Sequence, residues 1–142
     1  QLDRFHVPLL FYSPKLTALR GQQRSMIASQ VDIGPTILGL LGSNAPHQAW
    51  GRNLLSVDPT ESGFAVVKPS GGKEEVALIE GDLLLMRSPK EKPVLYRYSL
   101  DFPPVSERID DPAKVKAMEH RLKAYVETGL LNLQERHVGL PE

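Results

Sequence analysis

The pattern of apolar and polar positions begins with a short continuous apolar run from Val7 to Tyr12. Six residues are too few for a typical helix, and flanking prolines at positions 8 and 14 favour a strand buried on both faces, as in an α/β sheet. Pro8 falls near the start of the run, where a missing backbone N–H is tolerated. The pattern therefore predicts a buried strand here.

A helix is predicted next, over roughly Val31 to Leu41. Ser29 and Asp32 are both residue types that cap a helix N-terminus, and Asp32 is preferred because it places Pro35 at the third helical position, within the first turn where proline is tolerated. Gly42 suits the left-handed residue that ends a helix. The predicted packing face consists of Ile37, Leu38, Leu40 and Leu41.

Beyond Pro59 the pattern changes to short strand-like runs separated by turns. Glu80-Gly81-Asp82 is a tight hairpin signal, and Ser70-Gly71-Gly72-Lys73 is a looser one. A proline-rich stretch from Asp101 to Ser106 is expected to be extended. The pattern predicts an antiparallel sheet of three or four strands, formed by Phe64 to Lys68, Val76 to Glu80, Leu83 to Arg87 and Val94 to Tyr98.

The last predicted element is a long helix that begins at Asp111-Pro112, an N-cap followed by proline at the first helical position. Gly129 is expected to bend this helix or end it early, and His137 to Glu142 to form a loose tail. One apolar stripe at helical spacing consists of Val115, Met118, Leu122, Tyr125, Val126, Leu130 and Leu133. The predicted fold class is α/β: the edge of a sheet, then a small antiparallel sheet and a long C-terminal helix.

Composition narrows the function classes. The 142 residues suffice for a genuine core, and 17 basic residues balance 17 acidic ones. This balance argues against a nucleic-acid partner, whose binding rests on concentrated Lys and Arg. The chain has no cysteine, which excludes disulfides and thiolate metal sites. It also has no run of about 18 apolar residues that could span a membrane.

Few residues of the chain are candidates for a catalytic or metal-binding site. Two-metal ester-cleaving sites need converging Asp and His ligands, but the histidines are scattered, at His6, His47, His120 and His137. The solvated interpretation is preferred for His120 and His137. His6, at the mouth of the predicted strand, has two interpretations: a histidine satisfied by a backbone carbonyl, or a side chain that faces a substrate cleft.

Three further features favour structural roles. Capping and the helix dipole explain the Asp32 carboxylate, and a hydroxyl bonded back to a helical carbonyl explains Thr36. Lys15, Arg20 and Arg24 could meet an anionic group, although three charges over ten residues are more typical of plain surface.

Three segments between residues 6 and 55 stand out together: His6-Val7-Pro8-Leu9-Leu10-Phe11-Tyr12-Ser13-Pro14, Val31-Asp32-Ile33-Gly34-Pro35-Thr36-Ile37-Leu38-Gly39-Leu40-Leu41-Gly42, and Gly51-Arg52-Asn53-Leu54-Leu55. In their order and spacing they resemble the C-terminal portion of the sulfatase family of the alkaline-phosphatase superfamily, and most of all phosphoglycerol transferases and lipoteichoic-acid-synthase-like proteins. Leu95-Tyr96-Arg97-Tyr98 is similar to the family's C-terminal region. The motif positions expected to be structural are Pro8, Asp32, Pro35, Thr36, Gly42 and Gly51.

The resemblance implies that residues 1–58 are the C-terminal edge of a sulfatase-like α/β domain and that 59–142 form an antiparallel subdomain with a terminal helix. It implies a parent enzyme that cleaves or transfers a phosphate or sulfate ester with Mn, Mg or Ca. Nucleophile and metal ligands, including an Asp-His pair, are expected upstream of Gln1, so no catalytic or metal-binding residue is assigned to this chain.

The resemblance also implies the partners: the N-terminal remainder of the catalytic domain, and an anionic ester such as a phosphoglycerol lipid or a sulfate ester. The expected location is the periplasmic or extracellular face of a membrane-anchored bacterial protein. The chain is interpreted as a piece of an enzyme that is inactive alone. The alternative is a non-catalytic module of the same architecture that binds a partner or a glycan.

Overall fold

The fold consists of a short N-terminal helix, an antiparallel sheet and a long C-terminal helix. A computed structural model describes residues 5–15, 17, 21–43, 45–69, 74–101 and 104–135. One turn of 3-10 helix, Gln30–Asp32, leads into α1 (Ile33–Leu40). The later elements are β1 (Phe64–Val67), β2 (Val76–Glu80), β3 (Leu83–Arg87), β4 (Val94–Ser99), β5 (Val105–Ile109) and α2 (Pro112–Gln134).

The sheet has the order β1-β2-β3-β4-β5, and every neighbouring pair is antiparallel. The predicted antiparallel sheet and its four runs are therefore confirmed. Gly81 adopts φ 57° in the predicted hairpin turn, and Glu80 pairs with Leu83 across it. The looser turn at 70–73 lies outside the described residues.

The fifth strand, β5, was missed by the sequence pattern. It begins inside the stretch expected to be merely extended, and four of its five residues are exposed. An exposed edge strand buries too few side chains to show apolar alternation, so its pairing with β4 could not be read from hydrophobicity.

The main core lies between the sheet and α2. Leu78, Leu85 and Leu95 are directly opposite one another on β2, β3 and β4, and they pack against Met118 and Leu122 of α2. All five are almost fully buried. Because side chains alternate along each strand, the intervening residues Ala77, Ile79 and Leu84 form a second cluster.

The start of α2 is as predicted. Asp111 is its N-cap, with a side-chain oxygen that accepts a hydrogen bond from Lys114 N at 3.0 Å, and Pro112 is the first helical residue. The expectation that Gly129 ends the helix early is wrong, since α2 continues to Gln134; the alternative, a bend at Gly129, stays a prediction. The glycine instead makes room for Trp50, because a Cβ built there would lie 2.9 Å from Trp50 Cζ3.

The apolar stripe of α2 is buried only in its first half. Met118 and Leu122 are buried, whereas Val126, Leu130 and Leu133 are exposed. A 23-residue helix is about 35 Å long, but a five-stranded sheet is only about 20 Å wide. The sheet therefore cannot cover the whole stripe.

The buried strand predicted for Val7 to Tyr12 is wrong. These residues are irregular and pair with no strand of the described sheet, and Val7, Leu10 and Tyr12 are each more than 70% exposed. A strand requires a neighbour that accepts and donates its backbone hydrogen bonds, and this segment pairs with none of the five described strands. Pro8 consequently does not begin a strand.

Helix α1 ends as predicted but presents a different face. Gly42 has φ 69°, Gly42 N donates to Gly39 O at 3.0 Å, and Ser43 N donates to Leu38 O at 3.0 Å, which together form a Schellman motif. The predicted packing face is wrong in part, because Ile37 and Leu41 are exposed. Pro35 (the third residue of α1, as predicted) and Thr36 are buried instead.

No helix in the described part of the chain is long and apolar enough to cross a membrane.

Candidate functional site

A buried ion pair joins the start of α1 to the loop that follows it. Asp32 Oδ2 accepts a hydrogen bond from Arg52 Nη2 at 2.8 Å, and Asp32 Oδ1 accepts one from Arg52 N at 2.7 Å. The Asp32 side chain is only 2% exposed and that of Arg52 is 22% exposed. We call this contact the Asp32–Arg52 pair.

The carboxylate does not cap α1, so that prediction for Asp32 is wrong. Asp32 itself has helical backbone angles, and Oδ2 accepts a hydrogen bond from Ser29 N at 2.9 Å instead. The carboxylate therefore reaches backward to fix the start of the 3-10 turn. Both of its oxygens are occupied by donors from Ser29 and Arg52.

Arg52 also connects this turn to the sheet. Its Nη2 donates to Ile27 O and to Phe64 O, each at 3.2 Å, and its guanidinium lies 4.8 Å from the centroid of the Phe64 ring. Ile27 forms one parallel bridge with Gly63, just before β1. These contacts cross the predicted boundary at residue 58, which stays a prediction.

Thr36 makes a second set of connections. Its hydroxyl donates to Asp32 O at 2.6 Å, as predicted for a helical threonine, and accepts a hydrogen bond from Leu54 N at 3.0 Å. Gly51 lies so close to the helix start that a Cβ there would be 2.5 Å from Asp32 N. The Val31–Gly42 and Gly51–Leu55 segments that carry the family resemblance thus meet in one hydrogen-bonded unit, which we call the Asp32 cluster (Asp32, Thr36, Gly51, Arg52 and Leu54).

The ionisation of Asp32 follows from these contacts. Burial raises the pKa of its carboxyl, but hydrogen bonds from the Arg52 side chain, Arg52 N and Ser29 N, with the Arg52 charge, lower it by more. The pKa of Asp32 is therefore below its ordinary value, and the carboxylate is charged at neutral pH. A group held in its charged, fully bonded form is suited to structural support and not to proton transfer.

This shift predicts a pH dependence of stability. The unfolded chain binds a proton at Asp32 more readily than the folded chain, so this contribution is complete above about pH 4 and is lost as the pH falls through the lower folded pKa. Urea unfolding at a series of acidic pH values should show the free-energy difference between wild type and Asp32→Asn shrinking below about pH 4. Because Asp58, Asp111 and Glu119 also have lowered pKa values, the difference between variants isolates Asp32. Parallel curves would contradict the assignment.

An aromatic group borders the same region. The rings of Trp50 and Tyr125 meet edge to face with centroids 5.5 Å apart, and those of Phe64 and Tyr125 at 6.3 Å. The space enclosed between this group and the Asp32–Arg52 pair is about 10 Å³, which admits about one water molecule. The region is packed and offers no room for a substrate.

The other sequence-predicted site residues lie elsewhere. His6 is exposed on the irregular N-terminal segment, so it is not at the mouth of a strand, and its role at a substrate cleft stays a prediction. His120 is exposed on α2, as predicted; His137 lies outside the described residues. Arg24 donates to Leu54 O at 2.7 Å, and contact of its exposed side chain with an anionic group stays a prediction; Arg20 is outside the described residues.

The described residues do not fit a divalent metal. They contain no group of three or more His, Asp or Glu side chains that could hold one. The buried carboxylate of Asp32 is already occupied by Arg52 and Ser29, and a ligating oxygen would have to lose those bonds. No step of metal chemistry is therefore assigned to these side chains.

Sequence reasoning missed Arg52 and Trp50. Arg52 lies in the Gly51–Leu55 segment that carries the family resemblance. The signal for its role was Asp32 at the helix start, because a buried carboxylate needs a paired cation. The signal for Trp50 was weaker: a lone tryptophan in a polar loop, with a glycine on α2 whose missing side chain accommodates the ring.

Comparison of the chain with protein-family models, with curated proteins and with solved structures finds no match.

Proposed function

We propose that this chain is the C-terminal portion of a metal-dependent phosphate or sulfate ester enzyme of the sulfatase type, most similar to the phosphoglycerol transferases. One observation carries the proposal. The two resemblance segments that contain Asp32 and Arg52, twenty residues apart in sequence, meet through three hydrogen bonds from Arg52 to one buried carboxylate. That carboxylate accepts a fourth hydrogen bond from Ser29 N. Each of the two segments needs the other to satisfy the buried carboxylate. We therefore expect the two segments to occur together in proteins that share this architecture.

In this proposal the Asp32 cluster supports an active site without touching the substrate. Its polar groups bond to one another, and the described residues show no buried side-chain nitrogen or oxygen without a partner. A catalytic group would have to leave some bonding capacity for the substrate. The nucleophile and the metal ligands would therefore come from sequence outside this chain.

The exposed apolar residues of the N-terminal half support the same proposal. Val7, Leu9 and Leu10 are exposed on the irregular segment, as are Ile37 on α1 and Leu41 directly after it. We propose that they pack against the N-terminal remainder of the catalytic domain. Burial of such side chains is worth about 1.5–3 kcal/mol each.

The full enzyme would use Mn, Mg or Ca and act on an anionic ester, a phosphoglycerol lipid or a sulfate ester. It would work at the periplasmic or extracellular face of a bacterial membrane. The chain alone is expected to have no activity.

The test uses the natural reading frame that contains this chain, expressed in full. We expect an Asp-His pair and a Thr, Ser or Cys nucleophile outside residues 1–142, and cleavage of bis(p-nitrophenyl) phosphate or p-nitrophenyl sulfate that is lost with EDTA and restored by Mn, Mg or Ca. The preferred ester separates transferase from sulfatase. The 142-residue chain, assayed in parallel, is the control.

The opposite result would be a full reading frame with no such pair and no metal-dependent cleavage of either ester. The proposal would then be abandoned in favour of a non-catalytic interaction module, which the exposed apolar side chains of α1 and of the end of α2 favour.

A further inference from the structure

An open groove lies between the loop before Gly51 and the C-terminal half of α2. It has a volume of about 280 Å³ and is lined by Gln48, Ala49, Trp50 and Asn132. Small-molecule sites commonly span about 300–1,000 Å³. The groove is open to solvent and falls below this range, so it has room for a single ring that stays partly exposed.

Trp50 is a fixed wall of this groove. Its ring meets Tyr125 edge to face and its benzo edge lies against Gly129, where a Cβ would be 2.9 Å from Cζ3. The residue nevertheless stays 38% exposed. A large aromatic ring that is held in place and only partly covered offers its exposed portion for contact at little additional entropy cost.

The chemistry of the lining selects the ligand class. None of the four lining residues is charged. The amides of Gln48 and Asn132 can each donate and accept hydrogen bonds, and the face of an indole carries negative charge that attracts partly positive C–H groups. A sugar ring matches both, because it has a C–H face and hydroxyls at its edge.

Two other ligand classes fit less well. A quaternary ammonium group is normally held by several aromatic faces, and Trp50 is the only aromatic residue in the lining. An anionic ester is normally held by Arg or Lys, and the lining contains neither. We propose that this groove binds a neutral saccharide ring, which stacks on Trp50 and bonds through its hydroxyls to Gln48 and Asn132. The proposal rests on the groove alone and is independent of the ester-cleaving function.

Tryptophan fluorescence reports on this site directly, because Trp50 is the single tryptophan of the chain. The probes are glucose, N-acetylglucosamine, maltose and cellobiose, with choline chloride and glycerol phosphate as the cationic and anionic comparisons. We expect at least one saccharide to change the tryptophan emission saturably at millimolar concentration and to show saturation-transfer NMR signals, while choline and glycerol phosphate do neither.

Two substitutions locate the binding. Gln48→Ala and Asn132→Ala should each weaken saccharide affinity about fivefold, the effect of one lost hydrogen bond. The matched controls are His47→Ala and Gln134→Ala, exposed neighbours outside the lining, which should leave the affinity unchanged. The proposal is overturned if no saccharide gives a saturable signal by either method, if choline or glycerol phosphate binds in its place, or if both amide variants bind as the wild type does.

Discussion

Replacing Asp32 with alanine should lower the free energy of unfolding by about 3–5 kcal/mol, since it leaves the Arg52 guanidinium largely buried without its carboxylate. Ser29 N and Arg52 N lose their acceptor in the same step. The loss is measured as the decrease in the midpoint of urea unfolding, which is monitored by circular dichroism. An unchanged m-value checks that unfolding remains two-state.

The matched control for this change is Asp82→Ala. Asp82 also pairs with an arginine, Arg97, at 3.1 Å, but both side chains are more than half exposed. An exposed pair contributes less than about 1 kcal/mol. If the two variants lose similar stability, the buried pair is not the element that joins helix and loop.

The double variant Asp32→Ala/Arg52→Met separates the pair from its other contacts. Removing both charges should recover part of the loss, because no unpaired charge then stays buried. Recovery should be incomplete, since Arg52 also donates to Ile27 O and Phe64 O.

Replacing Gly51 with alanine should cost more than about 3 kcal/mol, because the new Cβ would overlap the carbonyl group of Val31 and lie 2.5 Å from Asp32 N. Both contacts are with backbone at the start of the helix, which cannot move without disturbing the Asp32–Arg52 pair. For a chain of this length such a loss lowers Tm by roughly 6–12 °C, which a thermal melt followed by circular dichroism detects.

Gly34→Ala is the internal comparison for that experiment. A Cβ at Gly34 meets no atom within 4 Å beyond its two chain neighbours. Alanine in a helix is favoured over glycine by up to about 1 kcal/mol, which offsets the preference against helical angles at a residue before proline. The same substitution should therefore destabilise strongly at position 51 and have little effect at position 34. Equal melting temperatures for the two variants would show that the close approach at Gly51 is not a constraint.

These predictions assign the conspicuous motif residues to support of the fold. Asp32, Thr36 and Gly51 hold a helix start against a loop, and Arg52 extends the connection to β1. In the proposed function, this unit would fix one wall of a larger catalytic domain. The open groove at Trp50 is a separate surface with separate chemistry.

The sequence alone determined the elements whose signals are local. The hairpin at Gly81, the caps at Asp111 and Pro112, and the glycine stop at Gly42 each depend on a few adjacent residues, and all three are found as predicted. The short strand-like runs separated by turn signals likewise identified four of the five strands.

Only the tertiary structure decided which faces and partners those elements take. The apolar run from Val7 to Tyr12 predicts a buried strand, yet the segment has no neighbouring strand and is largely exposed. The position of Asp32 predicts a helix cap, yet its carboxylate accepts hydrogen bonds from Arg52, twenty residues away in sequence. Local signals arise from backbone geometry within one turn, whereas burial and ion pairing depend on which distant segments meet, and no short stretch of sequence carries that information.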